Sequence, residues 1–179
     1  MADASENASV HRHHAAGPRV IACAVITVSD TRTLEDDTGG ALLVDLLERA
    51  GHSVLSRLIV RDERDTIGAA VREACDTDGC QAVLLTGGTG VAPRDVTPEA
   101  VKPLLDRELP GFGELFRVLS YEEIGPAAIL SRALAGFRGN VLIAALPGSR
   151  GAIRTALEKL LLPELGHLIG EGNKGHPTR

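Results

Sequence analysis

At 179 residues the chain is long enough for one domain with a sizeable core. Its 44% hydrophobic content excludes a disordered chain, and with no Trp, one Tyr and three Phe the core falls to Val, Ile, Leu and Ala. A net charge of -5, with no Lys/Arg run longer than two, excludes non-specific nucleic-acid binding, which needs a basic face, but leaves room for a small anion in a local pocket.

Residues 1–18 are small and polar without periodicity, so a disordered tail is expected there. Its His11, His13 and His14 read as solvated side chains, because a floppy segment lacks the partners that orient a metal ligand. RVIACAVITV (19–28) is a β-branched run typical of a strand covered on both faces. DTGGALLVDLLERAG (37–51) places Leu42, Leu43, Leu46 and Leu47 at helical spacing and stops at Gly51. SVLSRLIV (53–60) is a second strand, 66–76 a helix and QAVLLT (81–86) a third strand. This βαβαβ order predicts a parallel sheet with right-handed crossovers.

Thr97-Pro98-Glu99 reads as a helix start, with Thr97 as N-cap and Pro98 first in the helix, running to about Asp106. Residues 111–124 form another helical segment. Residues 133–146 read as two strands turning at Arg138-Gly139-Asn140. After Pro147-Gly148-Ser149 comes a last helix carrying Ile153, Leu157, Leu160 and Leu161. One domain is expected over 19–170, followed by a fraying tail over 171–179. Cys23, Cys75 and Cys80 are odd in number and lack CxxC spacing, so a disulfide framework is not expected and a reducing compartment fits. No apolar run reaches the ~18 residues of a membrane span. The N-terminus lacks the apolar stretch of a signal peptide. A cytoplasmic protein with no membrane partner is expected.

LLTGGTGVAPRDVTPEA (84–100) is the stretch richest in chemistry. Ligands of open α/β sheets bind beyond the carboxyl ends of the strands. There Gly87, Gly88 and Gly90 bring backbone N–H groups close to an anion, and Thr86 and Thr89 add hydroxyls. The pattern is neither GxGxxG nor a P-loop. Asp95 would repel a phosphate unless a cation intervenes. It either shares a Mg²⁺ with the ligand or pairs with Arg94 or Arg132. Asp62 follows the second strand, and Ser29 and Asp30 follow the first. Three strand ends therefore deliver Ser29/Asp30, Asp62 and the glycine loop to one sheet edge. Pro147-Gly148-Ser149 is either an ordinary cap or a second anion site, and Arg150 beside it either touches a phosphate or is solvated. His52 and His167 read as structural, with no acid at suggestive spacing.

ITVSDTR (26–32), LLTGGTGVAPRDVTPEA (84–100), LSYEEIG (119–125), SRALAG (131–136) and LPGS (146–149) together resemble the molybdopterin adenylyltransferase family. This is the MogA/MoaB group of molybdenum-cofactor biosynthesis proteins, and the resemblance, which covers most of 19–169, leans to the MoaB side. It implies a three-layer α/β/α fold with a mostly parallel sheet and one antiparallel strand. It also implies transfer of AMP from Mg-ATP to the terminal phosphate of molybdopterin, with release of pyrophosphate. The alternative is a molybdopterin carrier without chemistry. Carried onto this sequence, the catalytic and Mg²⁺-holding acids are Asp62 and Asp95. Ligand binding falls to Ser29, Asp30, Thr86, Gly87, Gly88, Thr89, Gly90, Pro147, Gly148 and Ser149. Ser120, Glu122 and Glu123 lie in a matching segment. The resemblance further implies homotrimers or paired trimers (hexamers), and hand-over of the product to a molybdenum-insertion protein.

Overall fold

A computed structural model describes residues 17–175, so His11, His13 and His14 lie outside the described residues. The first half follows the expected order: β1 (Ala22–Val28), α1 (Thr38–Arg49), β2 (Ser53–Val60), α2 (Arg64–Asp76) and β3 (Ala82–Thr86). β1 begins three residues later than the apolar run because the Ile21 N–H leaves the ladder for His52 Nδ1 (3.2 Å). α1 stops as its sequence predicts. Gly51 takes φ +85°, and His52 N–H reaches back to the Leu47 carbonyl (3.0 Å).

The second half holds α3 (Thr97–Val101), β4 (Arg107–Glu108), α4 (Pro110–Ile124), β5 (Leu134–Arg138), β6 (Val141–Leu146), α5 (Arg150–Ala156) and α6 (Leu162–Gly172). Three features depart from expectation. Val96, not Thr97, is the cap of α3, and the segment tightens into a 3-10 turn at Lys102–Leu104. Thr97 cannot cap because its hydroxyl donates to the Gly87 carbonyl (2.9 Å). The last helix is split by a π-helical turn at Leu157–Leu161. Pro163 stands two residues beyond it; it lacks an N–H and its ring crowds the carbonyl four residues back, which the wider turn accommodates. That helix runs to Gly172, into the stretch expected to fray.

The sheet order is β2-β1-β3-β6-β5-β4. β1 runs parallel to β2 and β3, and β3 to β6, while β5 is antiparallel to both β6 and β4. One strand of six is therefore reversed, in a mostly parallel sheet. Strand alternation sends Cys23, Val25, Leu84, Leu142 and Ala144 to one face, under Leu43 and Leu47 of α1, Phe116 of α4, and Ile153 and Leu165 of α5 and α6. Ala24, Ile26, Val83, Leu85 and Ile143 face the other way, under Ile67 and Val71 of α2 and Val101 of α3. The result is three layers, α/β/α. All three cysteines are buried and free.

Candidate active site at the carboxyl edge of the sheet

Because β2, β1, β3 and β6 run the same way, their carboxyl ends share one edge. Asp62, Ser29 with Asp30 and the glycine loop emerge there, as the sequence predicts, and Pro147-Gly148-Ser149 joins them from the end of β6. Two bonds draw the β3 and β6 ends together: Thr86 Oγ1 donates to the Pro147 carbonyl (3.1 Å) and Gly87 N–H to the Leu146 carbonyl (3.0 Å).

The loop's carbonyls are all engaged. Gly87 O accepts from the Thr97 hydroxyl (2.9 Å) and Gly88 O from Thr97 N–H (3.0 Å). Thr89 O accepts from Arg132 N–H (3.1 Å) and Gly90 O from Arg132 Nε (2.7 Å). In a planar trans peptide the N–H points opposite the carbonyl. The N–H groups of Gly88, Thr89, Gly90 and Val91 therefore face away from these partners, and none of them donates to an acceptor among the described residues. Successive unpaired N–H groups of this kind hold anions. Gly87 (φ +103°) and Gly88 (φ +62°) occupy backbone conformations that side chains disfavour. A Cβ on Gly87 would also overlap the Val28 carbonyl oxygen, and one on Gly88 would lie 2.6 Å from Asp62 Oδ2.

Asp62 is 7% exposed and accepts the Val96 N–H (3.1 Å) on Oδ1. Burial pushes its carboxyl above the usual range. The Val96 N–H and Arg94 pull it down, while Asp95 and Asp30 push it up. Arg94 does not relieve this directly, because its guanidinium grips Asp30 through two bonds (2.7 and 2.8 Å). That grip, with the Asp62 N–H on Asp30 Oδ1, holds the Asp30 carboxyl down at about 2. Asp95 Oδ2 accepts the Ala92 N–H (3.0 Å). Neither arginine considered for Asp95 pairs with its carboxylate: Arg94 serves Asp30, and Arg132 Nη2 reaches the Asp95 backbone carbonyl (2.7 Å). Asp62 and Asp95 are thus two neighbouring acids without a basic side-chain partner among the described residues. They fit a Mg²⁺, which takes one or two carboxylates and completes its shell with water and phosphate oxygens. Among the described residues no group of three or more His, Cys, Asp or Glu side chains could hold a metal ion, so water and ligand oxygens would have to supply most of its shell.

Ser29 is occupied locally, its Oγ accepting from Thr31 N–H (3.3 Å) and Arg32 N–H (3.2 Å). Ser149 caps α5 by accepting the Ala152 N–H (3.2 Å), and Arg150 is exposed beside it. Ser120 is buried and Glu122 exposed, both on α4 rather than on a strand-end loop. Glu123 accepts from Thr155 Oγ1 (2.8 Å) and Lys159 Nζ (2.7 Å), tying α4 to the last helical stretch. His52 accepts Ile21 N–H, as befits a structural residue. His167 does have acids at helical spacing, Glu164 (3.0 Å) and Glu171 (3.6 Å). A cavity of about 740 Å³ lies at the opposite, amino edge of the sheet, among Cys75, Cys80, Gln81, Arg138 and Asn140, and none of the expected site residues lines it.

Sequence reading missed Arg132 as the brace of the loop and Asp37 as the anchor of α1. Asp37 is 3% exposed. It accepts from Gly40 N–H (2.8 Å), the Thr27 hydroxyl (2.8 Å) and Arg57 Nη2 (2.9 Å). Burial pushes its carboxyl up, but these donors together outweigh it and hold the carboxyl below its ordinary value. An acid three residues before Gly40 at the head of an apolar helix was the available signal.

Residues 24–167 match the family described as "Probable molybdopterin binding domain". The chain is 50% identical to molybdenum cofactor biosynthesis protein B of Bacillus subtilis (strain 168) over 167 residues, spanning 93% of this chain and 98% of that one. A crystal structure of a molybdenum cofactor biosynthesis protein B superposes with a TM-score of 0.86 at 49% identity, over 88% of this chain and 98% of that one. The tungsten cofactor synthesizing protein MoaB of Pyrococcus furiosus superposes at 0.78 with 39% identity, over 87% and 98%.

Proposed function

The chain belongs to the family of probable molybdopterin-binding domains, on its molybdenum cofactor biosynthesis protein B side, and from that premise we propose that it adenylylates molybdopterin. Membership supports a role in molybdenum cofactor biosynthesis; adenylyl transfer is our reading of the site. The observation that carries it is the pairing of opposites at one edge. Four N–H groups of the glycine loop, unpaired among the described residues, lie beside two acids that lack a basic partner there. An anion and a cation together satisfy both, and Mg-ATP supplies both.

In this reading an oxygen of molybdopterin's terminal phosphate attacks the α-phosphorus of ATP. The bond from that phosphorus to the bridging oxygen breaks, and pyrophosphate leaves. Little covalent work falls to the protein; placement and charge stabilisation dominate. The glycine loop holds phosphate oxygens, with Thr86 and Thr89 at its base. Asp62 and Asp95 would hold Mg²⁺, which when bound neutralises the triphosphate and eases departure of pyrophosphate. Asp30 keeps Asp62 in place through its N–H and keeps Arg94 off the acid pair. The Pro147-Gly148-Ser149 turn, bonded to the loop's base, takes the second phosphorylated ligand. Ser29 shapes the turn after β1, and Ser120 and Glu122 stand on α4. We place the protein in the cytoplasm, a reducing compartment in keeping with three buried, unbridged cysteines. It acts as a trimer or paired trimers and hands its product to a molybdenum-insertion protein. No helix among the described residues is long and apolar enough to cross a membrane.

The test is pyrophosphate release from Mg-ATP with and without molybdopterin, alongside Asp95→Ala. Pterin-dependent release that is lost in the variant is the expected result. No release, with pterin still bound, would make the protein a carrier instead.

A further inference from the structure

Arg132 lies 42 residues from Gly90 in sequence, yet its side chain holds the loop from behind. Nε donates to the Gly90 carbonyl (2.7 Å) and Nη2 to the Asp95 carbonyl (2.7 Å), while Nη1 pairs with Glu99 Oε1. Each captured carbonyl belongs to a peptide plane with an N–H on its far side. For the 90–91 plane that donor is Val91 N–H, the last of the loop's unpaired donors. For the 95–96 plane it is Val96 N–H, and this one has a visible target: Asp62 Oδ1 at 3.1 Å. One guanidinium thus stands one peptide away from the loop's anion donors and one peptide away from the buried acid.

We propose that Arg132 is a positioning residue for the reaction, its planar fork fixing the two peptide planes that aim Val91 N–H at substrate phosphate and Val96 N–H at Asp62. The inference rests on the proposed function for the identity of the phosphate. The clamp itself is a property of the ligand-free chain. A fork suits this task because its donors have fixed relative directions, whereas a lysine ammonium is a point charge on a flexible stem and cannot hold two planes at once. Glu99 steadies the fork at its third corner. The neighbouring donors provide an internal control. Gly88, Thr89 and Gly90 N–H sit on planes held by the Thr97 hydroxyl, Thr97 N–H and the Arg132 backbone N–H, none of which involves the guanidinium.

The test compares amide proton and nitrogen resonances of wild type, Arg132→Lys and Glu99→Gln, first without ligand and then titrated with Mg-ATP and with inorganic pyrophosphate. In Arg132→Lys the Val91 and Val96 amides shift and broaden while those of Gly88, Thr89 and Gly90 stay put. Mg-ATP then binds about tenfold more weakly, the loss of one well-placed interaction. Glu99→Gln moves the same two amides by less. Unmoved Val91 and Val96 amides in a folded Arg132→Lys protein would overturn the proposal. So would a collapse of the whole spectrum, which makes Arg132 a general prop, or Glu99→Gln shifts centred elsewhere. Wild-type loop amides that ignore both Mg-ATP and pyrophosphate would sink the proposed function instead, leaving the clamp to be judged on the ligand-free spectra.

Discussion

Gly88 shows how one hydrogen atom in place of a methyl group shapes the site. Its φ of +62° disfavours any side chain, and the space a Cβ needs is taken by the Thr97 hydroxyl oxygen and by the Asp62 carboxylate, 2.6 Å from where it would sit. The loop and the acid therefore touch only because residue 88 is glycine. Gly88→Ala carries a backbone cost of ~1–2 kcal/mol from the left-handed conformation. It also pushes on the Thr97 hydroxyl that holds the Gly87 carbonyl and on Asp62, whose placements the reaction needs. A shift on the order of 1 Å in such a group costs about a hundredfold in rate. Gly88→Ala is thus expected to lose about two orders of magnitude in pterin-dependent pyrophosphate release while staying folded by circular dichroism. Wild-type turnover in Gly88→Ala would mean that the reaction needs neither Asp62 nor Thr97 in its present position.

α1 is pinned by a charge rather than by propensity alone. Asp37 caps it, binds β1 through Thr27 and β2 through Arg57, and does so at 3% exposure. Asp37→Asn leaves the half-buried Arg57 guanidinium without its counter-charge. Breaking such a pair from one side costs ~3 kcal/mol, which at this chain length lowers Tm by about 6–12 °C. The sign with pH follows from the depressed carboxyl. Its stabilisation is whole above the unfolded value of about 3.9 and fades as pH falls through the lower folded value. The gap in urea midpoint between wild type and Asp37→Asn should therefore be full at neutral pH and close in acid. A gap that stays constant down to acid unfolding would show that Asp37 acts by shape and not by charge. Elements of this kind also mark the limit of sequence reading. The five long strands and α1, α2 and α4 were legible because their apolar periods are strong and Gly51 and Gly139 punctuate them at positive φ. The residues of the sheet edge were legible because parallel strands bring their carboxyl ends together. β4 was not, since Arg107-Glu108 is two exposed charged residues paired to β5 only by tertiary context. The guanidinium of Arg132 was not either, because no local pattern announces a contact to carbonyls some forty residues earlier.

At the scale of the molecule, both faces of the sheet are covered, but the outer side of α4 is apolar and exposed. Leu115, Val118, Tyr121 and Ile124 follow one another at three-residue steps and are 55–61% exposed, and the following turn adds Ile129 at 81% and Leu130 at 53%. Rows at this spacing form one of the ridges by which helices pack. Monomers rarely leave so continuous an apolar strip in water. A strip on a single helix, used by identical chains, closes a ring when the contact is rotational. This is the surface on which the proposed trimer would be built. Sedimentation of the wild type at micromolar concentration is expected to give three or six chains per particle. Val118→Glu combined with Ile129→Glu is expected to give one, with an unchanged far-ultraviolet spectrum, because a carboxylate buried against an apolar neighbour has no partner there. A wild type that sediments as a single chain would refute the assembly and leave the strip to a different partner. A double variant that still forms trimers would place the interface elsewhere on the molecule.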